Sequence, residues 1–488
     1  MIFNKKISVY LLVFITLMAS CKKDFYDLQP YDALPVEDAI QTDGDLNVVV
    51  NGMYSTLRSV NLYGRTLPVK GDLAADNVYL KGNNSGRYFE LRDYNQTAAN
   101  TDALGVWNSA YIAIKNANIV IHADLESSPI VDQLKGEAYA VRALMHFELV
   151  RNFAKPYTVD ANALGVPIVT SFEQDARPAR NTTSEVYAQI IADLNQAFSL
   201  MGFSQGETVE ITSTGSSRLL TSEYFTPYAA KGLLAKVYLH MGDWANARDA
   251  ALDVVNNSGF VLVSAGNYVN YWNDPGTQTD QVETLFEVSS DAAANLSSNS
   301  LSNFYSLEGY GDIWATNELY EKYNPGDVRL DVIEVSVDDV LPGETVYLVQ
   351  KYPNTTNPAD KDDTKVLRFA DVLLILAEAH ARLGQEDDAR TRLNQVAQNR
   401  EPGFAGYNSS GAELIDDIIE ERRKELAFEG DRYWDLMRLN QPILNHTTSQ
   451  HPLVLLPIDV NNFRRVYPIP QAELDANENI RGQQNQGY

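Results

Sequence analysis

Two segments of the chain repeat the same arrangement of small and apolar residues. Residues 235–247 align without a gap with residues 377–389, and this alignment matches Gly242 with Gly384. Each glycine follows an apolar segment and permits the positive φ of a tight turn. An alanine follows each glycine five positions later, which leaves room for two helices to approach closely. The repeat therefore predicts two copies of a unit made of a helix, a tight turn and a second helix.

This spacing is typical of the tetratricopeptide (TPR) helix pair, and the copy that reads MGDWANA at residues 241–247 is the more specific one. Because the two copies are far apart in sequence, we expect scattered pairs with loops inserted between them, and not a continuous solenoid. Other segments also place apolar residues at intervals of about 3.6, the period of an amphipathic helix. These segments are residues 107–122, 132–153 and 184–201.

Long polar segments separate the predicted helices. Loops of such length in a helical protein are usually functional or mobile. We therefore predict a mostly α fold, with TPR-like helix pairs, long inserted loops and a few short strands. The polar segments are residues 81–100, 203–217, 289–312 and 352–365, and the predicted strands are residues 335–337 and 345–349.

The N-terminus has the three parts of a secretory signal. Lys5 and Lys6 precede an apolar segment at residues 7–17, which is too short to span a membrane. Small residues then lead to Cys21, the only cysteine, as at the site where bacterial lipoproteins are cut and acylated. We expect a signal peptide at residues 1–20, a lipid on Cys21 and a tether over residues 21–35. The alternative is a plain signal peptide followed by a chance cysteine.

The chain is strongly acidic, with a formal charge of −26. Loss of residues 1–20 removes two lysines and no acid, so the mature chain would carry −28. Such a chain repels phosphate backbones, which argues against a nucleic-acid partner. It also repels anionic headgroups, so attachment to a membrane would depend on the lipid. With Cys21 acylated, neither a disulfide nor thiolate catalysis is available.

The residues that could carry catalysis or bind a metal favour neither role. Carboxylates on successive helical turns at residues 420–429 are interleaved with arginines, which indicates ion pairs. A glycosidase instead needs two carboxyls that face each other across a cleft. The six histidines form no metal-ligand spacing, and residues 360–363 lack the glycine and closing glutamate of an EF-hand. We expect that the protein is not an enzyme and holds no cofactor. We expect a solvated loop at residues 360–363, and the alternative is a structural calcium ion bound there.

Aromatic residues are abundant in two of the polar regions. A sugar ring has an apolar face and polar edges, so its site needs flat aromatic surfaces beside amide, carboxylate or guanidinium groups. The alternative is that each ring attaches its loop to the helical core, which we favour for Trp107, Trp244 and Trp434. The predicted ligand-binding residues are Asp76, Tyr79, Arg87 and Tyr94 in the first region, and Trp272, Tyr305, Tyr310 and Trp314 in the second.

Several segments together resemble the SusD/RagB family of outer-membrane nutrient-binding proteins. The most specific is residues 421–438, which read ERRKELAFEGDRYWDLMR. One departure is Ala397, where the family often has arginine. The other matching segments are residues 24–30, 137–147, 367–379 and 467–488.

The resemblance implies a SusD-like fold on the surface of the outer membrane. Family members act as lids on SusC-like TonB-dependent β-barrel transporters, to which they deliver captured glycans, or peptides in the RagB branch, without doing chemistry. We therefore expect an oligosaccharide-binding lipoprotein, with an N-terminal part at residues 36–260 and a C-terminal part at residues 261–488 forming one compact unit. The alternatives are a peptide-binding protein with the same role, a surface glycoside hydrolase and a TPR scaffold.

Overall fold

The computed structural model describes residues 39–173, 175–337, 343–358, 360–444 and 457–488. The predicted signal peptide, Cys21 and the tether lie outside the described residues. The mostly α fold is confirmed. The helices are α1 (Asp43–Leu57), α2 (Thr66–Leu73), α3 (Phe89–Arg92), α4 (Thr101–Ile121), α5 (Pro129–Phe153), α6 (Tyr157–Asp160), α7 (Thr183–Leu200), α8 (Pro227–Met241), α9 (Trp244–Asn257), α10 (Tyr268–Asn273), α11 (Leu301–Tyr305), α12 (Asn317–Tyr320), α13 (Phe369–Arg382), α14 (Glu386–Arg400), α15 (Gly411–Glu425), α16 (Arg432–Arg438) and α17 (Gln471–Ala476).

Short strands form three small antiparallel sheets beside the helices. Four strands lie in the order β1-β5-β7-β6, while β2 pairs with β3 and β4 pairs with β8. Both strands expected from the sequence are present, and they pair with Val335 opposite Tyr347. The strands are β1 (Val78–Leu80), β2 (Thr208–Ile211), β3 (Ser216–Leu219), β4 (Thr284–Val288), β5 (Ile313–Ala315), β6 (Ile333–Val337), β7 (Thr345–Val349) and β8 (Thr364–Arg368).

The long helices stack one against the next. In the order α4, α5, α7, α8, α9, α13 and α14, each helix packs on its neighbour. The two repeated units are α8–α9 and α13–α14, with Gly242 at φ +71° and Gly384 at φ +74° in their turns. An inserted segment separates the two pairs in sequence, as expected, but they are not separated in space, because α9 packs directly against α13. A helix pair cannot bury its apolar face alone, so the segment between the copies loops out and the pairs meet.

The buried residues explain why the stack is stable. Ala247 and Ala389 are fully buried, as the repeat predicts, and almost the whole of α13 is buried. Trp107 and Trp434 lie in the core, which confirms the interpretation from the sequence, and Trp244 packs against it. Among the described helices, none is both long and apolar enough to cross a bilayer.

A network of buried charges joins the C-terminal helices to the strand region. Glu425, at the end of α15, is fully buried and accepts hydrogen bonds from three arginines. The N–O distances are 2.8 Å to Arg368, 3.0 Å to Arg400 and 3.2 Å to Arg329. The carboxylates of this segment are therefore ion-pair partners, as the sequence indicates, and do not line an open cleft.

Candidate ligand-binding site

Six of the eight predicted ligand-binding residues are buried. The exposed fraction is at most 5 % for each of them, because their rings and carboxylate pack against neighbouring protein groups. This burial is what the alternative of loop anchors predicts, and ligand contact by these six residues stays a prediction. The six are Asp76, Tyr79, Tyr94, Trp272, Tyr305 and Trp314.

Two of the buried aromatics show how the anchoring works. The Tyr305 hydroxyl donates a hydrogen bond of 2.5 Å to Asp72 Oδ2, which fixes α11 to α2. The Trp314 ring meets the Tyr79 ring edge-on, 6.2 Å between centroids, across the β5–β1 pair. Sequence cannot separate such rings from ligand-binding rings, because both uses select the same residue types in the same loops.

The remaining buried residues are also committed to the core. Asp76 pairs with Arg432, with Nε 2.8 Å from Oδ1. The Tyr94 hydroxyl donates to the Ala74 carbonyl. Lys351 Nζ lies 4.4 Å from the centroid of the Trp272 ring. Replacement of these side chains would therefore disturb packing, and loss of ligand binding in such variants would not identify a site.

Arg87 and Tyr310 are the predicted residues that stay accessible, and the structure brings them together. The Arg87 guanidinium carbon lies 4.8 Å from the centroid of the Tyr310 ring. Both side chains are half-buried. Asp312 connects their loops by two hydrogen bonds. Its Oδ1 accepts one from the Ser85 amide at 3.0 Å, and its backbone carbonyl accepts one from the Lys81 amide at 2.9 Å.

Other groups on these loops suit a saccharide. Asn83 and Glu308 are exposed, and Leu307 has an exposed fraction of 56 %. Thr356 Oγ1 donates to Glu308 Oε2 at 2.7 Å, which joins a third loop to the cluster. We call Asn83, Arg87, Leu307, Glu308 and Tyr310 the loop site. Its mixture of ring, guanidinium, amide and carboxylate can hold the apolar face and the hydroxyls of a sugar.

The sequence-based prediction did not include Asn83, Leu307 and Glu308. A signal was available for Asn83, because Gly82 and Gly86 flank a short polar run that ends next to Arg87. For Leu307 and Glu308 the signal was weaker. Their loop is polar throughout, and only the tertiary structure separates its exposed tip from its buried rings.

A buried carboxyl lies behind the loop site. Asp72 is fully buried, and burial raises its pKa to about 7, although the Tyr305 hydroxyl opposes the shift. A backbone hydrogen bond from Gly430 also opposes the shift. Because Tyr305 belongs to α11, the charge on Asp72 changes near neutral pH next to the helix that leads into the loop of Leu307, Glu308 and Tyr310.

The raised pKa predicts how stability depends on pH. A carboxyl whose pKa is higher in the folded state than in the unfolded state contributes stability at a pH below the pKa of the unfolded state. This contribution is lost as the pH rises to about 7, the pKa of Asp72 in the folded protein. The free energy of unfolding of the wild type should therefore fall by up to about 3 kcal/mol between pH 5 and pH 8. Asp72→Asn should not show this fall. Urea unfolding at both pH values measures this difference.

Asp76→Asn is the matched control for this experiment. Burial would raise the pKa of Asp76, but its ion pairs with Arg432 and Arg423 lower the pKa below its usual value. This variant should lose stability equally at both pH values. If the pH dependence of Asp72→Asn matches that of the wild type, Asp72 does not titrate in this range.

Family models and relatives identify the fold family. The model described as "SusD family" matches residues 342–488, and the model described as "Starch-binding associating with outer membrane" matches residues 24–239. The SusD-like protein P2 of Formosa agariphila is 27 % identical over 99 % of this chain and 100 % of its own length. The chain belongs to the SusD/RagB family. A SusD-like protein of Bacteroides ovatus is 24 % identical over 89 % of this chain and 83 % of its own length.

Solved structures of SusD superfamily members share the whole architecture. One from Bacteroides vulgatus has a TM-score of 0.79 at 26 % identity and covers 92 % of this chain and 100 % of its own. One from Bacteroides thetaiotaomicron has a TM-score of 0.78 at 28 % identity and covers 91 % and 100 %. A candidate sugar binding protein from Bacteroides vulgatus has a TM-score of 0.79 at 28 % identity and covers 92 % and 99 %.

In this SusD-family chain the acidic loop serves the fold. Asp362 Oδ2 accepts from the Asn354 amide at 2.8 Å, and Asp363 Oδ1 accepts from the Ser290 amide at 2.7 Å. The expectation of a solvated loop is therefore wrong for Asp363, which is buried. Over the described ranges, no three His, Cys, Asp or Glu residues are arranged to hold a metal ion.

Proposed function

We propose that this SusD-family protein is a surface lipoprotein that captures an oligosaccharide at the loop site. The accessible Arg87–Tyr310 pair, held between loops that hydrogen-bond to each other, carries the proposal. The half-buried ring can stack on the apolar face of a sugar, and the guanidinium beside it can donate to ring hydroxyls. The description of the matching family as starch-binding and the candidate sugar binding role of a structural relative support a glycan.

The size of the loop site sets the expected affinity. Apolar burial contributes roughly 25 cal/mol per Å², so one ring stacked on one sugar face contributes only a few kcal/mol. A dissociation constant from about micromolar to about millimolar follows. Affinity in this range lets a captured glycan leave again for a transporter.

Tyr310→Ala and Arg87→Ala should each weaken glycan binding by roughly tenfold, because each removes one side of the stacked pair. Since both side chains are half-exposed, the melting temperature should fall by only about 2 °C or less. Calorimetric titration with neutral oligosaccharides and with peptides, together with thermal unfolding, gives both readouts.

Trp314→Ala is the contrast variant. Its ring is buried, so we expect a large loss of melting temperature. Unchanged glycan affinity in both Tyr310→Ala and Arg87→Ala would refute the loop site. Binding of peptides without any glycan would favour the peptide alternative.

We further propose that the protein delivers its ligand to a SusC-like TonB-dependent β-barrel in the outer membrane, to which Cys21 anchors it by lipid. The description of the family as associating with the outer membrane supports this location. The acidic character of the chain also supports an anchor made of lipid, since a negative surface does not adhere to anionic headgroups.

The proposed partnership predicts that a β-barrel of transporter size purifies with the tagged protein from outer membranes in mild detergent. The matched growth test compares the deletion strain with its parent on the glycans that bind. Purification of the protein alone, together with unchanged growth of the deletion strain, would contradict delivery. A TPR scaffold would then be the better interpretation, and the continuous helix stack is compatible with it.

A further inference from the structure

A second groove lies away from the loop site, at the C-terminal end of the chain. We call it the C-terminal groove. Its volume is about 650 Å³, enough for a short oligosaccharide. The segment after α5, the end of α16, residues 460–466 and residues 484–487 line its walls.

The charge of this groove is opposite to that of the chain. It is lined by Lys155, Arg180 and Arg465 and by no Asp or Glu, in a chain with a formal charge of −26. Arg180 and Arg465 are buried, with exposed fractions of 6 % and 3 %. Within the described ranges, none of the three forms an ion pair with a carboxylate.

The two buried arginines of the groove differ in how far their hydrogen bonds are satisfied. All three nitrogens of Arg180 donate to backbone carbonyls, those of Gly165, Gln483, Phe153 and Leu164, so this residue contributes mainly positive charge. Burial lowers its pKa to about 10. Arg465 Nη2 donates to the Gln441 carbonyl at 2.8 Å, but its buried Nε has no partner among the described residues. Because this Nε is fully enclosed, an anion in the groove would interact with the positive charge of Arg465 and not with this atom.

The other walls suit a sugar. Asn461 and Gln486 supply exposed amides, and the Phe463 ring also lines the groove. Val159 and Leu164 add apolar surface, with exposed fractions of 44 % and 39 %. Amides, a ring and apolar side chains together match the polar edges and apolar face of a saccharide.

We infer that the C-terminal groove binds an anionic oligosaccharide, with a uronate carboxylate or a sulfate ester directed at Lys155 and Arg465. This inference rests on the proposed glycan-binding function and adds an acidic class of ligand at a second site. Guanidinium groups match the geometry of carboxylate and sulfate oxygens, so an acidic sugar is favoured over a neutral one of the same size.

Calorimetry on the full-length protein in mild detergent tests the inference. The probes are a galacturonic acid trimer, a sulfated galactose trimer and the neutral galactose trimer. Lys155→Gln should weaken binding of at least one acidic trimer about fivefold, which is the largest effect typical of removing one exposed ion pair. The affinity for the neutral trimer should not change. Added salt should weaken the same binding. The difference between the two acidic trimers separates carboxylate from sulfate.

Lys115→Gln is the matched control, because Lys115 is an exposed lysine in a different groove. Arg465→Gln should weaken acidic binding roughly tenfold, since it removes a buried charged donor. Lys155→Gln keeps the test decisive if Arg465→Gln misfolds, because Lys155 is exposed. Equal affinity of Lys155→Gln and wild type for both acidic trimers would overturn the inference, as would binding of an acidic peptide but of neither acidic trimer.

The failure of this inference and the failure of the proposed function can be told apart. One outcome is that neutral glycans bind and their affinity depends on Tyr310, while Lys155→Gln and the wild type bind the acidic trimers with equal affinity. The C-terminal groove is then not a site, and the proposed function stands. If no glycan of either kind binds, both are wrong.

Discussion

Replacement of Glu425 by alanine should remove most of the stability of the protein. Arg329, Arg368 and Arg400 converge on this carboxylate, and all three are buried. Although burial alone would raise it, these arginines hold the pKa of Glu425 well below its usual range. The alanine variant would leave three guanidinium groups without their shared partner. Removal of one member of a buried ion pair typically costs about 3–5 kcal/mol.

The expected loss lies at or above the upper end of that range, about 5 kcal/mol, because more than one ion pair is broken. This is comparable with the whole free energy of unfolding of many domains. Chemical denaturation measures it, and a protein that is unfolded in buffer is the extreme of the expected result. Glu420→Ala is the control on the same helix, since Glu420 pairs with Lys322 near the surface and should cost about 1 kcal/mol or less.

A Glu425→Ala protein as stable as the Glu420→Ala protein would contradict the network. Glu425→Gln separates charge from shape, because it keeps the volume and a hydrogen-bond acceptor. The stability of Glu425→Gln should lie between those of Glu425→Ala and the wild type. Equal stability of Glu425→Gln and wild type would show that hydrogen bonding, and not charge, is what the three arginines need.

Cys21→Ala should abolish stable membrane attachment. Durable anchoring needs two or more acyl chains, since one chain binds only marginally. Without the thiol no lipid can be attached, so the protein should appear as soluble chain or as uncut precursor. Cell fractionation with an antibody to the chain, and mass measurement of the mature protein, provide the readouts.

Ser20→Ala is the matched control for the anchor, because it keeps a small residue before the cysteine. This variant should be cut, acylated and retained in the outer membrane. Both variants are compared in a strain that lacks the proposed transporter, so that a partner cannot hold the protein. Retention of Cys21→Ala in the outer membrane of that strain would exclude the lipid as the anchor.

The sequence by itself determined the local structure. The 3.6-residue period located α4, α5 and α7, and the glycine turns located both repeated pairs, because helices and turns depend on neighbouring residues. It also determined that the carboxylates near Glu425 form ion pairs. Arginines interleaved with glutamates on one helix favour pairing regardless of the details of the fold.

Only the tertiary structure decided which distant segments meet. Contact between α9 and α13 depends on how a long insertion folds back, and local spacing does not encode this. The burial of Trp272, Tyr305 and Trp314 was also invisible, because a ring that anchors a loop and a ring that binds a sugar have the same chemistry. The accessible Arg87–Tyr310 pair and the cations Arg180 and Arg465 come from segments far apart in the chain. Their meeting follows from long-range packing, which places side chains in space after the local structure has formed.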